Sequence, residues 1–242
     1  MRWQEDEKLP DKKENRMQKV GKSTKKACGK RRMEMDGKET GMKIKICGLK
    51  REEDILYANE VLPDYVGFVF AGSKRRVSFE QAAHLRELLD KRIQAVGVFV
   101  DEEPANMQRL LKQGIIDMAQ LHGSETEEEI RVLQESSGKP VIKAVKVTSC
   151  EDVKRWLSSK ADYLLFDSGQ GTGKTFDWKL LEDAEHCGRP YFLAGGLNLE
   201  NMEEALNVLH PYCMDVSSGA ETDGCKDLEK MRRLTELCRR WQ

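Results

Sequence analysis

The stretch Lys43-Ile44-Lys45-Ile46-Cys47-Gly48 (residues 43–48) reads as a short strand that runs straight into a glycine turn. Strand alternation puts Lys43, Lys45 and Cys47 on one face, so a thiol is presented where the strand ends. A second run of this kind, LLFD (164–167), delivers a carboxylate. The second run extends back to Tyr163 as YLLFD (163–167), and around these two the same unit recurs six times: YVGFVF (65–70), QAVGVFV (94–100), MAQLH (118–122), VIKAVKV (141–147), YFLAG (191–195) and MDVSS (214–218). Amphipathic stretches with helical spacing lie between, among them 79–92, 105–114 and 125–136, and 227–241 follows the last run. The runs are apolar on both faces, as in a covered parallel sheet. Eight such strand-helix units in about 200 residues predict an α/β fold, a single (β/α)8 TIM barrel. The doubly wound open sheet is the alternative, and the GxGxxG that usually follows its first strand is missing here.

Composition narrows the class. Of 242 residues, 39% are hydrophobic and 34% charged, which suits a globular chain with a charged surface. No apolar stretch approaches the roughly 20 residues of a membrane helix, so no membrane association is expected. The first residues are charged, so no secretory signal is expected. The seven cysteines form no CxxC pair, which argues for reduced thiols in a cytoplasm and against a disulfide framework or a zinc site.

Charge divides the chain. Residues 1–41 hold 13 Lys or Arg against 8 Asp or Glu, while the remainder holds 28 against 34. The first segment lacks aliphatic periodicity and is expected to be a disordered basic extension, 1–41, ahead of a barrel domain, 42–242. Its lack of interleaved aromatics argues against a nucleic-acid partner. Gly37-Lys38-Glu39-Thr40-Gly41 suggests another origin. Lys-Glu can be encoded AAG-GAG, a ribosome-binding sequence, which would make Met42 the true start.

In a barrel of this kind, chemistry sits at the C-terminal strand ends. Here those ends offer Cys47, Ser73 with Arg75, Asp101, His122, Lys146, Asp167, Gly195-Gly196, and Asp215 with Ser217-Ser218-Gly219. LAGGLNLENM (193–202) and DVSSGAE (215–221) put small residues after strands seven and eight, the usual phosphate cradle. SGQGTGKTFDW (168–178) is not a Walker A loop, because Ser168 stands where its first glycine belongs, and a glycine-rich lid fits better. Cys47 reads either as a small buried hydrophobe or as a base aided by positive charge. Asp167 reads either as a structural carboxylate or as an acid whose pKa is raised. Of Arg75 and Arg76, one can face a ligand and the other water. His84, His186, His210 and the remaining cysteines are assigned no chemistry.

KIKICGL (43–49), GFVFAGSKRRVS (67–78), VGVFV (96–100), QLHGSE (120–125), FDSGQGTGKTFDW (166–178), LAGGLNLENM (193–202) and DVSSGAETDGCKD (215–227) resemble phosphoribosylanthranilate isomerase of tryptophan biosynthesis. Order and spacing agree from Met42 to the C-terminus. The resemblance implies a TIM barrel and an Amadori rearrangement of N-(5-phosphoribosyl)anthranilate to 1-(2-carboxyphenylamino)-1-deoxyribulose 5-phosphate. It implies no metal or organic cofactor, a phosphorylated small-molecule substrate, and a monomer or homodimer. Carried over by motif, Cys47 is the general base and Asp167 the general acid. Arg75 pairs with the anthranilate carboxylate, although Lys74 replaces the usual proline and leaves Arg76 as a competitor. His122, Asp215 and Ser217 line the pocket, and Gly195, Gly196, Ser218 and Gly219 hold the phosphate. Sister ribulose-phosphate barrels and a non-catalytic phosphate-binding barrel are the competing readings. Cys47, standing where a histidine-pathway isomerase relies on a carboxylate, disfavours that sister. Retention of Cys47 with Asp167 disfavours the non-catalytic reading.

Overall fold

A computed structural model describes residues 42–168 and 177–241. The expected N-terminal extension and the centre of the expected lid lie outside the described residues. In chain order the barrel strands are β1 (Lys43–Cys47), β2 (Tyr65–Val69), β3 (Gln94–Phe99), β4 (Met118–Leu121), β5 (Val141–Lys146), β6 (Tyr163–Asp167), β7 (Tyr191–Leu193) and β8 (Cys213–Val216). Each pairs in parallel with the next, and β8 returns to β1, so the sheet closes as expected. The helices are α1 (Glu52–Val61), α2 (Phe79–Leu88), α3 (Pro104–Lys112), α4 (Glu127–Ser137), α5 (Cys150–Trp156), α6 (Glu182–Cys187), α7 (Met202–Val208) and α8 (Leu228–Arg240). A small antiparallel hairpin, β9 (Glu221–Thr222) with β10 (Cys225–Lys226), precedes α8.

Several runs end earlier than their sequence suggests. Strand β7 stops at Leu193 because Gly195 and Gly196 turn into the left-handed region, at φ +92° and +73°. Helix α4 starts at Glu127 because Thr126 caps it reciprocally with Glu129, its hydroxyl accepting from the Glu129 N–H.

Alternation along each strand builds two cores. Outward residues such as Ile44, Ile46, Val66 and Phe68 pack with helical Leu85, Leu110, Ile130 and Leu234. Inward residues Tyr65, Val96, Met118, Ile142, Leu165 and Phe192 fill the barrel. At its N-terminal end, Tyr65 and Tyr212 share a hydroxyl hydrogen bond of 3.0 Å. The Lys43 ammonium lies 5.8 Å and 5.4 Å from those two rings. With the interior filled from below, only the opposite rim is left for a site.

That rim is braced by one buried carboxylate. Glu125 accepts from the Asp101 N–H at 2.9 Å, the Gly123 N–H at 2.9 Å and Lys143 Nζ at 2.7 Å. Lys143 points outward from β5, is 1% exposed, and also donates to the Gly123 carbonyl at 2.7 Å. The loops after β3 and β4 and strand β5 are thereby tied together. Asp101 joins the brace by accepting from the Ser124 N–H and hydroxyl at 2.7 Å and 2.8 Å. Its carboxylate, part of the rim inventory, is thus spent on loop structure.

Replacing Lys143 by Met leaves Glu125 buried without its ammonium. We expect a loss of about 3–5 kcal/mol, read as a fall in the urea midpoint. The double change Lys143→Met with Glu125→Leu should recover part of it.

Candidate active site

Cys47 closes β1 and faces into the rim, buried against Gly67 of β2, its register partner. A Cβ on Gly67 would stand 2.6 Å from the Cys47 sulfur, so the thiol occupies space that only glycine leaves. One step below, Lys45 lies wholly buried and donates to both Asp215 oxygens of β8, at 3.0 Å and 2.9 Å. Burial weighs most on Lys45 and favours its neutral form, but the Asp215 carboxylate overrides it, so the ammonium is held charged. Burial is also the largest influence on Cys47 and pushes the thiol up. The Lys45 ammonium opposes that rise, Asp215 adds to it, and Lys226 opposes it more weakly.

Asp167 closes β6, half-buried, with Oδ2 3.4 Å from His122 Nε2. His122 follows β4, and its Nδ1 lies 3.2 Å from Nε2 of buried Gln120, two residues back on the same face. Asp215 lies within electrostatic reach of Asp167, His122 and Cys47. The thiol and the carboxylate singled out in the sequence therefore open on one interior, and Asp215 acts electrostatically on both. The Ser217 hydroxyl donates to the Cys47 carbonyl at 3.1 Å and locks the end of β8 to the end of β1.

The two arginines part company. Arg76 is exposed, whereas Arg75 is turned inward and donates through Nε and Nη2 to Glu221, at 2.6 Å and 2.9 Å. Lys226 donates to the same carboxylate at 2.8 Å. Burial alone would raise the Glu221 carboxyl; the hydrogen bonds from Arg75 and Lys226 prevail and hold it down to about 2.

The two glycine loops meet. A Cβ on Gly195 would stand 2.6 Å from the Ser168 nitrogen, and one on Gly219 would overlap the Leu197 carbonyl. Asn198 and Asn201 side-chain amides both donate to the Gly196 carbonyl, at 3.2 Å and 3.0 Å, and fix that turn. Gly195 thus abuts the residue that follows β6, and Gly219, beside Ser218, abuts the turn that follows Gly196. Among the described residues no group of three or more His, Cys, Asp and Glu side chains is gathered that could hold a metal.

Sequence reasoning assigned no role to Glu221, Lys226 or Gln120. Glu221 and Lys226 sit inside the quoted DVSSGAETDGCKD, but nothing local signals that Glu221 reaches Arg75, 146 positions earlier. Gln120 carried a readable signal, since alternation places it below His122.

A raised thiol deprotonates at higher pH, so its reactive form appears later in a titration. We expect iodoacetamide labelling of Cys47, followed by peptide mass spectrometry, to reach half its maximal rate at a higher pH than for an unstructured cysteine peptide.

Comparison with known proteins places this arrangement. The family described as N-(5'phosphoribosyl)anthranilate (PRA) isomerase matches residues 44–237. The N-(5'-phosphoribosyl)anthranilate isomerase of Endomicrobium trichonymphae is 49% identical over 202 residues, covering 81% of this chain and 98% of the relative. The phosphoribosyl anthranilate isomerase structure from Thermotoga maritima superposes with a TM-score of 0.74 at 38% identity, covering 81% of this chain and 97% of that one. A solved phosphoribosyl anthranilate isomerase in complex with reduced 1-(o-carboxyphenylamino)-1-deoxyribulose 5-phosphate superposes with a TM-score of 0.72 at 37% identity, over the same shares. With a thiol and a carboxylate facing one barrel interior and these matches along nearly all of the barrel, the chain belongs to the N-(5'-phosphoribosyl)anthranilate isomerase family.

Proposed function

We propose that this chain converts N-(5'-phosphoribosyl)anthranilate to 1-(2-carboxyphenylamino)-1-deoxyribulose 5-phosphate in tryptophan biosynthesis, with Asp167 as general acid and Cys47 as general base. The observation that carries this reading is the shared interior of β1 and β6, where Asp215 lies within reach of both groups. In this reading the barrel, residues 42–242, is the whole catalytic unit, and residues 1–41 take no part.

Asp167 gives its proton to the furanose ring oxygen as the C1′–O4′ bond breaks. The anilino nitrogen lone pair forms the C1′=N bond, leaving an open-chain protonated Schiff base. The Cys47 thiolate then takes the proton on C2′, and that electron pair forms C1′=C2′ as the iminium nitrogen regains its own. The enolamine loses its C2′ hydroxyl proton and gains one at C1′, which yields the ketone. Burial favours this assignment for Cys47, since a thiolate deprived of water is the stronger base, and Lys45 keeps it attainable. The His122 contact with Asp167 suits a carboxyl that must be steadied while it gives up a proton.

Arg75 pairs with the ring carboxylate, a task that suits a planar guanidinium. Gly195, Gly196, Ser218 and Gly219 receive the phosphate, since glycines leave room for backbone N–H groups to approach closely and the Ser218 side chain is small. The reduced ketosamine phosphate bound in the solved relative has the three handles that these groups would meet: a ring carboxylate, an open sugar and a phosphate.

Turnover of freshly generated N-(5'-phosphoribosyl)anthranilate, followed by loss of its fluorescence, tests the roles. Asp167→Asn and Cys47→Ser should each lower kcat by roughly 10²–10⁴-fold while product-analogue binding persists. Full activity in either variant would remove that residue from the chemistry. Gly67→Ala should displace the sulfur and lower kcat by about tenfold or more, with the fold intact by circular dichroism.

A further inference from the structure

Arg75 is held more firmly than a substrate-binding arginine on a loop needs to be. Its aliphatic stem crosses Gly48, which has φ +88° and no room for a Cβ beneath the Arg75 Cδ. The glycine that ends the KICG run is therefore the seat on which this side chain lies. Glu221, on β9, then grips the guanidinium through Nε and Nη2. Lys226, on β10, pins Glu221 in turn and is itself fixed by the Ser217 carbonyl at 2.9 Å. The Arg75 and Glu221 side chains are 17% and 6% exposed, so the pair is shielded from water's screening.

A guanidinium has five N–H donors in a fixed plane. Glu221 occupies the edge formed by Nε and Nη2. The edge formed by Nη1 and the second Nη2 hydrogen is the other one that suits a carboxylate with two parallel bonds. Arg75 and Glu221 alone would be neutral and would attract no anion. Lys226 leaves the cluster with one positive charge in excess, which an incoming carboxylate balances.

We propose that Glu221 is a positioning residue for substrate selection: by gripping one edge of Arg75 it aims the other at the ring carboxylate, and so sets the preference for a carboxylate-bearing N-aryl ribosylamine phosphate. This rests on the reading that Arg75 binds that carboxylate. The β9–β10 hairpin then has a task of its own, to carry Glu221 and Lys226 across the rim to the loop after β2.

Calorimetry with the reduced product analogue and with its counterpart lacking the ring carboxylate tests the idea. The unaltered protein should bind the carboxylate-bearing compound more tightly, and Arg75→Ala should abolish that preference. Glu221→Ala should cut the preference by about tenfold or more, the size of one charge-assisted hydrogen bond. Binding of the carboxylate-free compound should stay close to its original value. With the true substrate the defect should fall on KM rather than kcat. Glu221→Gln keeps one acceptor oxygen and should retain part of the preference; it decides the matter where Glu221→Ala does not fold. A full preference in both Glu221 variants, with none in Arg75→Ala, overturns the positioning role and leaves the Arg75 assignment standing. A full preference in Arg75→Ala overturns that assignment, and this proposal with it. Equal weakening of both compounds by the Glu221 changes also overturns it, since that is what a general loss of structure does.

Discussion

A lysine ammonium with no access to water meets a carboxylate on the neighbouring strand, and this pair sits at the seam where the barrel closes. Lys45 and Asp215 are register partners across β1 and β8. Taking both charges out of water is costly, and the arrangement persists only because each satisfies the other at close range. A floor of apolar side chains would cost less. What the ion pair adds is a fixed charge directly beneath Cys47, in surroundings where water cannot screen it. The geometry of the site follows from that seam: Cys47 lies two residues along β1 from Lys45, and Ser217, just past the end of β8, lies two residues on from Asp215. The Ser217 hydroxyl then joins the two strand ends.

Opposing forces on the thiol make chemical sense together. A cysteine far from water is a strong base that is rarely ionised; one beside free positive charge is ionised often and is a weaker base. Lys45 is tied to Asp215, so its pull on the sulfur is partial, and Lys226 adds to it from the β10 side. The proposed removal of a proton from carbon needs basicity more than permanent ionisation, and this balance supplies it.

The sequence made some of this legible and hid the rest for definable reasons. Strand alternation and glycine turns are local, so β1 to β8 could be read along the chain, as could the delivery of Cys47 and Asp167 to one rim. The family resemblance assigned pocket roles from the same local motifs. Side-chain partnerships across the barrel are not local. The Lys45–Asp215 bond spans 170 positions and the Arg75–Glu221 bond 146. No periodicity records such a pairing. Gly48 is instructive here: its motif was plain, yet its reason lies in the Arg75 stem above it. Arg75 and Arg76 were indistinguishable in the sequence; the fold sets them apart, because only Arg75 is held by Glu221 while Arg76 is exposed.

The meeting of Gly219 with the Leu197 carbonyl has a bearing on how such barrels diversify. The turns after β7 and β8 are in contact at Gly219, with no space for a side chain between them. A recombinant barrel that takes one turn from a distant relative and keeps the other would set a new backbone against a surface shaped for the old one. Exchange of the quarter-barrel running from β7 through the start of α8 would preserve that fit, so the inheritable module here is larger than a single strand-helix unit.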